Sequence, residues 1–89
     1  MGRAEFKVPG GKLIAAETEV SNGHLKKVKI TGDFFMHPEE AIEELEKALI
    51  NTQLDKIEEV ITNFFINRSV EIIGVSPEDF IHVLKISLG

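Results

Sequence analysis

The chain is expected to fold as an α+β domain, a three-stranded antiparallel β-meander followed by three helices packed on one face of the sheet. Two periodicities and one turn lead there. The amino-terminal third alternates apolar and polar residues, whereas the remainder spaces its apolar residues three and four apart. The first pattern buries one face of a strand, the second one stripe of a helix. Between two of the alternating runs stands Asn22-Gly23, a pair suited to the two left-handed positions of a type I′ hairpin turn.

In order, Arg3 to Val8 reads as the first strand, with Ala4, Phe6 and Val8 on one side and Arg3, Glu5 and Lys7 on the other. Pro9-Gly10-Gly11 ends it. Lys12 to Val20 is the second strand, turning Ile14, Ala16, Thr18 and Val20 toward the core. Ser21-Asn22-Gly23-His24 is the hairpin, and His24 to Thr31 the third strand. Leu25 falls out of phase with Val28 and Ile30, so a β-bulge is expected near Lys26-Lys27 to return all three to one face.

The first helix is expected over Pro38 to Ile50, with Ala41, Ile42, Leu45, Ala48 and Leu49 on one stripe. Proline suits the first helical position, and Glu39 and Glu40 suit the positive end of the dipole. Thr52, with Asp55 three residues on, resembles a capping box for a second helix carrying Ile57, Val60, Ile61, Phe64 and Phe65. Ser76-Pro77-Glu78-Asp79 is a stronger start for the third, which carries Phe80, Ile81, Leu84 and Leu88. Val70 to Val75 reads as a short extended segment or fourth strand, with Gly74 at a turn. The expected core is Phe6, Ile14, Val28, Ile30, Leu45, Leu49, Ile61, Phe64 and Leu84.

The junction of strands and helices is unusual. Gly32 and Asp33 make a turn, by a positive φ and by backbone hydrogen bonds respectively. Phe34, Phe35, Met36 and His37 follow, a large apolar surface where connections are ordinarily polar. Adjacent aromatics point to different sides, so one is expected to plug the core and the other to face outward, flanked by Met36 and His37. An outward aromatic with a polar rim is a common binding anchor.

Composition limits the remaining possibilities. With 89 residues the chain is one domain, 1–89, and buries roughly two-thirds of its unfolded surface, leaving no deep cleft of its own. An apolar content of 43% is enough for a globular core. There is no cysteine, which excludes disulfides, thiolate metal sites and cysteine nucleophiles. No apolar run is long enough to span a bilayer and no signal peptide opens the chain, so a soluble cytoplasmic protein is expected, with no membrane partner. The net charge of −5 argues against a nucleic-acid partner. Lys26, Lys27 and Lys29, with Lys12, read as a solvated strand face or as a contact for an acidic partner.

Catalytic chemistry is thin. His24, His37 and His82 are dispersed, so no metal site is expected. Asp33 and His37 could pair across the turn as acid and base, but no nucleophile accompanies them. No catalytic residue is assigned.

The run Gly-Asp-Phe-Phe-Met-His-Pro-Glu-Glu (Gly32 to Glu40), placed after Lys-Val-Lys-Ile-Thr, resembles the small carboxy-terminal accessory domain of lipoate–protein ligases. The Asn-Gly hairpin, the Ile-Glu-Glu-Leu-Glu helix (Ile42 to Glu46) and Gly-Val-Ser-Pro-Glu-Asp-Phe (Gly74 to Phe80) fit in the same order. The likeness therefore covers nearly the whole chain. It implies a noncatalytic subunit that joins a large catalytic subunit as a heterodimer and assists ATP-dependent activation of lipoate to lipoyl-AMP. The lipoyl group then passes to a lysine on lipoyl carrier domains of 2-oxoacid dehydrogenases or on glycine cleavage H protein. ATP, Mg and lipoate would be bound by the catalytic subunit, not by this chain alone, and the catalytic lysine and nucleotide loops would lie there. Starting at Met1 and ending at Gly89, the chain looks like the accessory part encoded separately; a piece of a longer ligase is the other possibility. The functional turn carried over is Gly32, Asp33, Phe34, Phe35, Met36 and His37. The alternative is a stand-alone protein- or ligand-binding regulatory module with no ligase role.

Overall fold

Strands β1 (Gly2–Lys7), β2 (Leu13–Ser21) and β3 (His24–Gly32) pair antiparallel in that order, with β2 at the centre. The computed structural model describes residues 2–88; Met1 and Gly89, the ends of the expected domain, lie outside the described residues. Asn22 and Gly23 both have positive φ (53° and 76°), as a type I′ turn requires. The register shifts opposite Glu19 and Val20, leaving Lys26 as the extra residue. That bulge brings Leu25, Val28 and Ile30 onto the buried face together. Val20, expected in the core, is exposed even though it pairs with the buried Leu25.

The helices α1 (Ala41–Leu49), α2 (Ile57–Asn67) and α3 (Pro77–Leu88) cover one face of this sheet. Helix α3 lies on β1 and β2, α1 lies on β3, and α2 touches both helices. At the start of α3 only the reciprocal half of a capping box forms, and the Ser76 hydroxyl is a donor, not the capping acceptor the sequence predicts. The Asp79 carboxylate accepts from the Ser76 N–H at 2.7 Å and from its hydroxyl at 3.0 Å, while Asp79 N–H donates to the Ser76 carbonyl.

The other two helix starts differ from expectation. Helix α1 begins at Ala41, whose N–H donates to the Pro38 carbonyl, so Pro38 to Glu40 form a turn ahead of it. The chain is still extended at His37, and the His37–Pro38 peptide bond is cis. Thr52 does not cap α2. Its hydroxyl donates back to the Ala48 carbonyl at 3.1 Å, and one 3-10 turn, Leu54–Lys56, precedes the helix. The backbone around Thr52 is used elsewhere: Leu25 N–H donates to the Thr52 carbonyl and Asn51 N–H to the Leu25 carbonyl. With the Glu46 carboxylate accepting from Ile30 N–H at 2.7 Å, these bonds satisfy much of the outer edge of β3.

A second, two-stranded sheet joins β4 (Phe35–His37) to β5 (Glu71–Ile73), antiparallel. The extended segment foreseen over 70–75 therefore exists, and its partner is the carboxy-terminal half of the aromatic turn. Ile14, Val28, Ile30, Leu45, Leu49, Ile61 and Leu84 are buried as expected. Phe6 and Phe64 are only half-buried, and Phe80, fully enclosed, takes the central aromatic place.

Leu45→Ala is expected to cost about 2–5 kcal/mol and Phe80→Ala about 3–5 kcal/mol, through lost burial and an unfilled cavity. Phe64→Ala should cost less than either. Urea unfolding of the three variants checks the order, and equal midpoints for Phe64→Ala and Phe80→Ala would contradict it.

Candidate functional site

The segment Gly32 to His37 leaves β3 and is gripped at both ends. Asp33 N–H donates to the Leu13 carbonyl at 3.2 Å, and Leu13 N–H donates to Asp33 Oδ1 at 2.7 Å. This reciprocal pair ties the end of β3 to the start of β2. Gly32 has φ 157°, and a Cβ there would run into the Leu13 carbonyl and the Phe34 ring. Glycine is therefore required by space as well as by backbone angle.

Beyond the turn the side chains alternate. The Phe34 ring packs edge-on against Phe80, with centroids 5.4 Å apart and planes at 86°. Phe65 lies 5.5 Å from the same ring, so three elements meet there. Phe35 faces the opposite way and is 71% exposed. Met36 turns inward, to 7% exposure, and joins the core. That corrects the expectation that Met36 flanks an outward ring: pairing with β5 imposes a period of two, which returns it to the side of Phe34. His37 is exposed, like Phe35.

Pairing also adds a residue that sequence reasoning did not assign to the site. Ile73 lies directly opposite Phe35, and it is 64% exposed. Two large apolar side chains thus stand side by side on the outer face of the small sheet. His37 and Glu71, also exposed and opposite one another, form its polar end. Ile72 pairs with Met36 on the inner face. The run Glu71-Ile72-Ile73 carries no signal of which isoleucine faces out until its partner strand is known. Nearby, Arg68 closes the junction of α2 and β5 by an ion pair with Glu44 of α1 at 2.5 Å.

The turn does not bring Asp33 and His37 together as an acid–base pair. Asp33 Oδ1 is occupied by Leu13 N–H, and His37 lies across from Glu71. Among the described residues, no group of three His, Cys, Asp or Glu side chains is placed to hold a metal ion. A shallow depression of about 270 Å³ borders Phe34, Phe35, Glu39 and Ile42. A larger open groove of about 610 Å³ runs between β3 and α1, sharing Ile30 and Ile42 with that depression, with Lys27, Lys29, Glu43 and Glu46 along it. Among the described residues no helix is long and apolar enough to cross a membrane. What the face offers chemically is apolar contact area with a polar end.

Phe34→Ala is expected to lower stability by about 2–3 kcal/mol, because it removes a ring packed on the core. Phe35→Ala should change it by less than about 0.5 kcal/mol, and Asp33→Ala should cost about 1 kcal/mol through the lost bond to Leu13. Thermal melts of the three variants test this division.

Comparison with known proteins bears on the whole chain. The family described as "Bacterial lipoate protein ligase C-terminus" matches residues 3–84. Lipoate-protein ligase A subunit 2 of Thermoplasma acidophilum is 39% identical over 74 residues, which are 83% of this chain and 78% of that protein. A solved structure from the same organism superposes with a TM-score of 0.85 at 36% identity, covering 92% of this chain and 91% of the other. It comes from a structural analysis of an archaeal lipoylation system, a bi-partite lipoate protein ligase and its E2 lipoyl domain.

Proposed function

This chain belongs to the family of lipoate–protein ligase C-termini, and we propose that it is the small, noncatalytic subunit of a two-part ligase. In this reading it docks on a separate catalytic subunit and completes the state competent to activate lipoate with ATP. Lipoate, ATP and Mg are bound by the catalytic subunit, which forms lipoyl-AMP and passes the lipoyl group to a carrier-domain lysine. In this reading the heterodimer works in the cytoplasm and serves dehydrogenase and glycine cleavage carriers.

One observation supports the docking role most directly. The face that carries the aromatic turn presents Phe35 and Ile73 side by side, with His37 and Glu71 at its polar end. Such a face suits a contact with a protein partner. Adjacent exposed aromatic and β-branched side chains supply apolar area at small entropic cost, and an anchor of that kind is commonly worth at least about 2 kcal/mol in binding. Strand pairing fixes the backbone that carries the two side chains, so little backbone ordering is needed on association.

The experiment follows pyrophosphate release from lipoate and ATP by the catalytic subunit, with and without this chain. Release should rise on addition of the chain and be absent with the chain alone; equal release in both conditions would refute the reading. Phe35→Ala, folded as wild type, should weaken activation by roughly thirtyfold at subsaturating concentration, the equivalent of about 2 kcal/mol.

A further inference from the structure

The exposed pair Phe35–Ile73 is too small to be a whole interface, since a stable complex buries about 800 Å² on each partner. Continuity with neighbouring surface decides where the contact extends. On one side of the pair, Gly74 follows Ile73, and its carbonyl accepts from Lys12 N–H at 2.9 Å. A Cβ at Gly11 would strike that same carbonyl, and one at Gly74 would strike the Lys12 side chain. The loop between β1 and β2 is therefore pressed against the start of the α3 connection, and Lys12 is held beside the small sheet. Leu13, 36% exposed, is tied to Asp33 by the reciprocal hydrogen bonds described above. Hairpin end and aromatic turn thus form one surface.

Its charge is distinctive. Residues 1–32 carry six Lys and Arg against three Glu, and residues 33–89 carry four against twelve acids. The sheet is thus the basic half of an acidic molecule. Within it, Arg3 is paired with Glu5 and Glu17, and Lys27 with Glu19. Lys29 lies across from Glu17, and Lys26 donates to Asn51 Oδ1 at 3.1 Å. At the hairpin end, Lys7 reaches only the Gly11 carbonyl. Among the described residues neither Lys7 nor Lys12 has a carboxylate partner. Two lysines without a carboxylate partner therefore lie on the Gly74 side of the exposed apolar pair, while the acids of this surface, Asp33 and Glu71, are set at Leu13 and opposite His37.

Resting on the subunit role proposed above, we infer that the docking surface runs from Phe35–Ile73 onto Lys12, Leu13 and Lys7. Its occupant is a face of the catalytic subunit that presents an apolar pocket bordered by carboxylates. The apolar pair supplies the anchor, and the two lysines supply orientation and the salt dependence typical of complementary rim charges.

The test measures the dissociation constant of the complex with the catalytic subunit at two salt concentrations, for wild type, Lys12→Glu, Lys12→Arg, Lys26→Glu and Phe35→Ala. Lys26 serves as the control for net charge. It lies toward the far end of β3, separated from Lys12 by most of the nine-residue β2, roughly 25 Å. Lys12→Glu should weaken binding about tenfold and flatten the salt dependence. Lys12→Arg should bind like wild type, and Lys26→Glu should stay within about twofold of it. Wild-type affinity in Lys12→Glu, or equal losses in Lys12→Glu and Lys26→Glu, overturns the extended surface. If Phe35→Ala still weakens the complex in that case, the subunit reading survives. No binding by wild type overturns both.

Discussion

The ring of Phe80 is the contact on which the arrangement of this protein depends. It is fully enclosed, with Phe34 from the turn after β3 on one side and Phe65 from α2 on another. Helix α3, which carries it, lies across β1 and β2. One side chain therefore joins sheet, helices and connection. An antiparallel pair of three-residue strands is not stable in water by itself, so β4 and β5 hold their place because Met36 is buried and Phe34 packs half-buried against the core. What the small sheet shows outward follows from what it buries inward.

That dependence fixes which side chains the small sheet presents outward. Turning Phe34 and Met36 toward the core leaves Phe35 and His37 on the other face by the geometry of an extended strand. The β5 pairing adds Ile73 beside Phe35. In the function proposed above, the occupant of this pair is the catalytic part of a two-part lipoate–protein ligase. The rest of the chain fixes the patch in space. The Asp33–Leu13 pair sets its origin on the main sheet, and the contact of Lys12 with Gly74 sets its flank.

Much of the fold was legible in the sequence, because it is written in local signals. Asn22-Gly23 specified the hairpin, the phase slip at Leu25 specified the bulge, and Ser76 with Asp79 specified the start of α3. Each is decided within a few residues of the chain. The parts that were not legible depend on distant partners. Pro38 looked like a helix start because nothing local says that His37 is still paired with Glu71. Thr52 looked like a cap because nothing local says that its backbone serves the edge of β3. Met36 looked like an exposed neighbour of an outer ring until β4 was seen to be a strand. The alternation of Phe34 and Met36 against Phe35 and His37 was present in the sequence, but four residues are too few to tell a strand from a turn. Ile73 could not be assigned for the same reason.

Hydroxyl-radical footprinting of the chain, free and bound to the catalytic subunit, tests the central claim most directly. Two comparably exposed side chains provide an internal comparison: Phe35 at 71% on the small sheet and Ile66 at 72% on α2. If the outer face of β4 and β5 is the docking face, oxidation of Phe35 and Ile73 falls sharply in the complex while that of Ile66 is unchanged. Protection of Ile66, with Phe35 oxidised as fast as in the free chain, would contradict it.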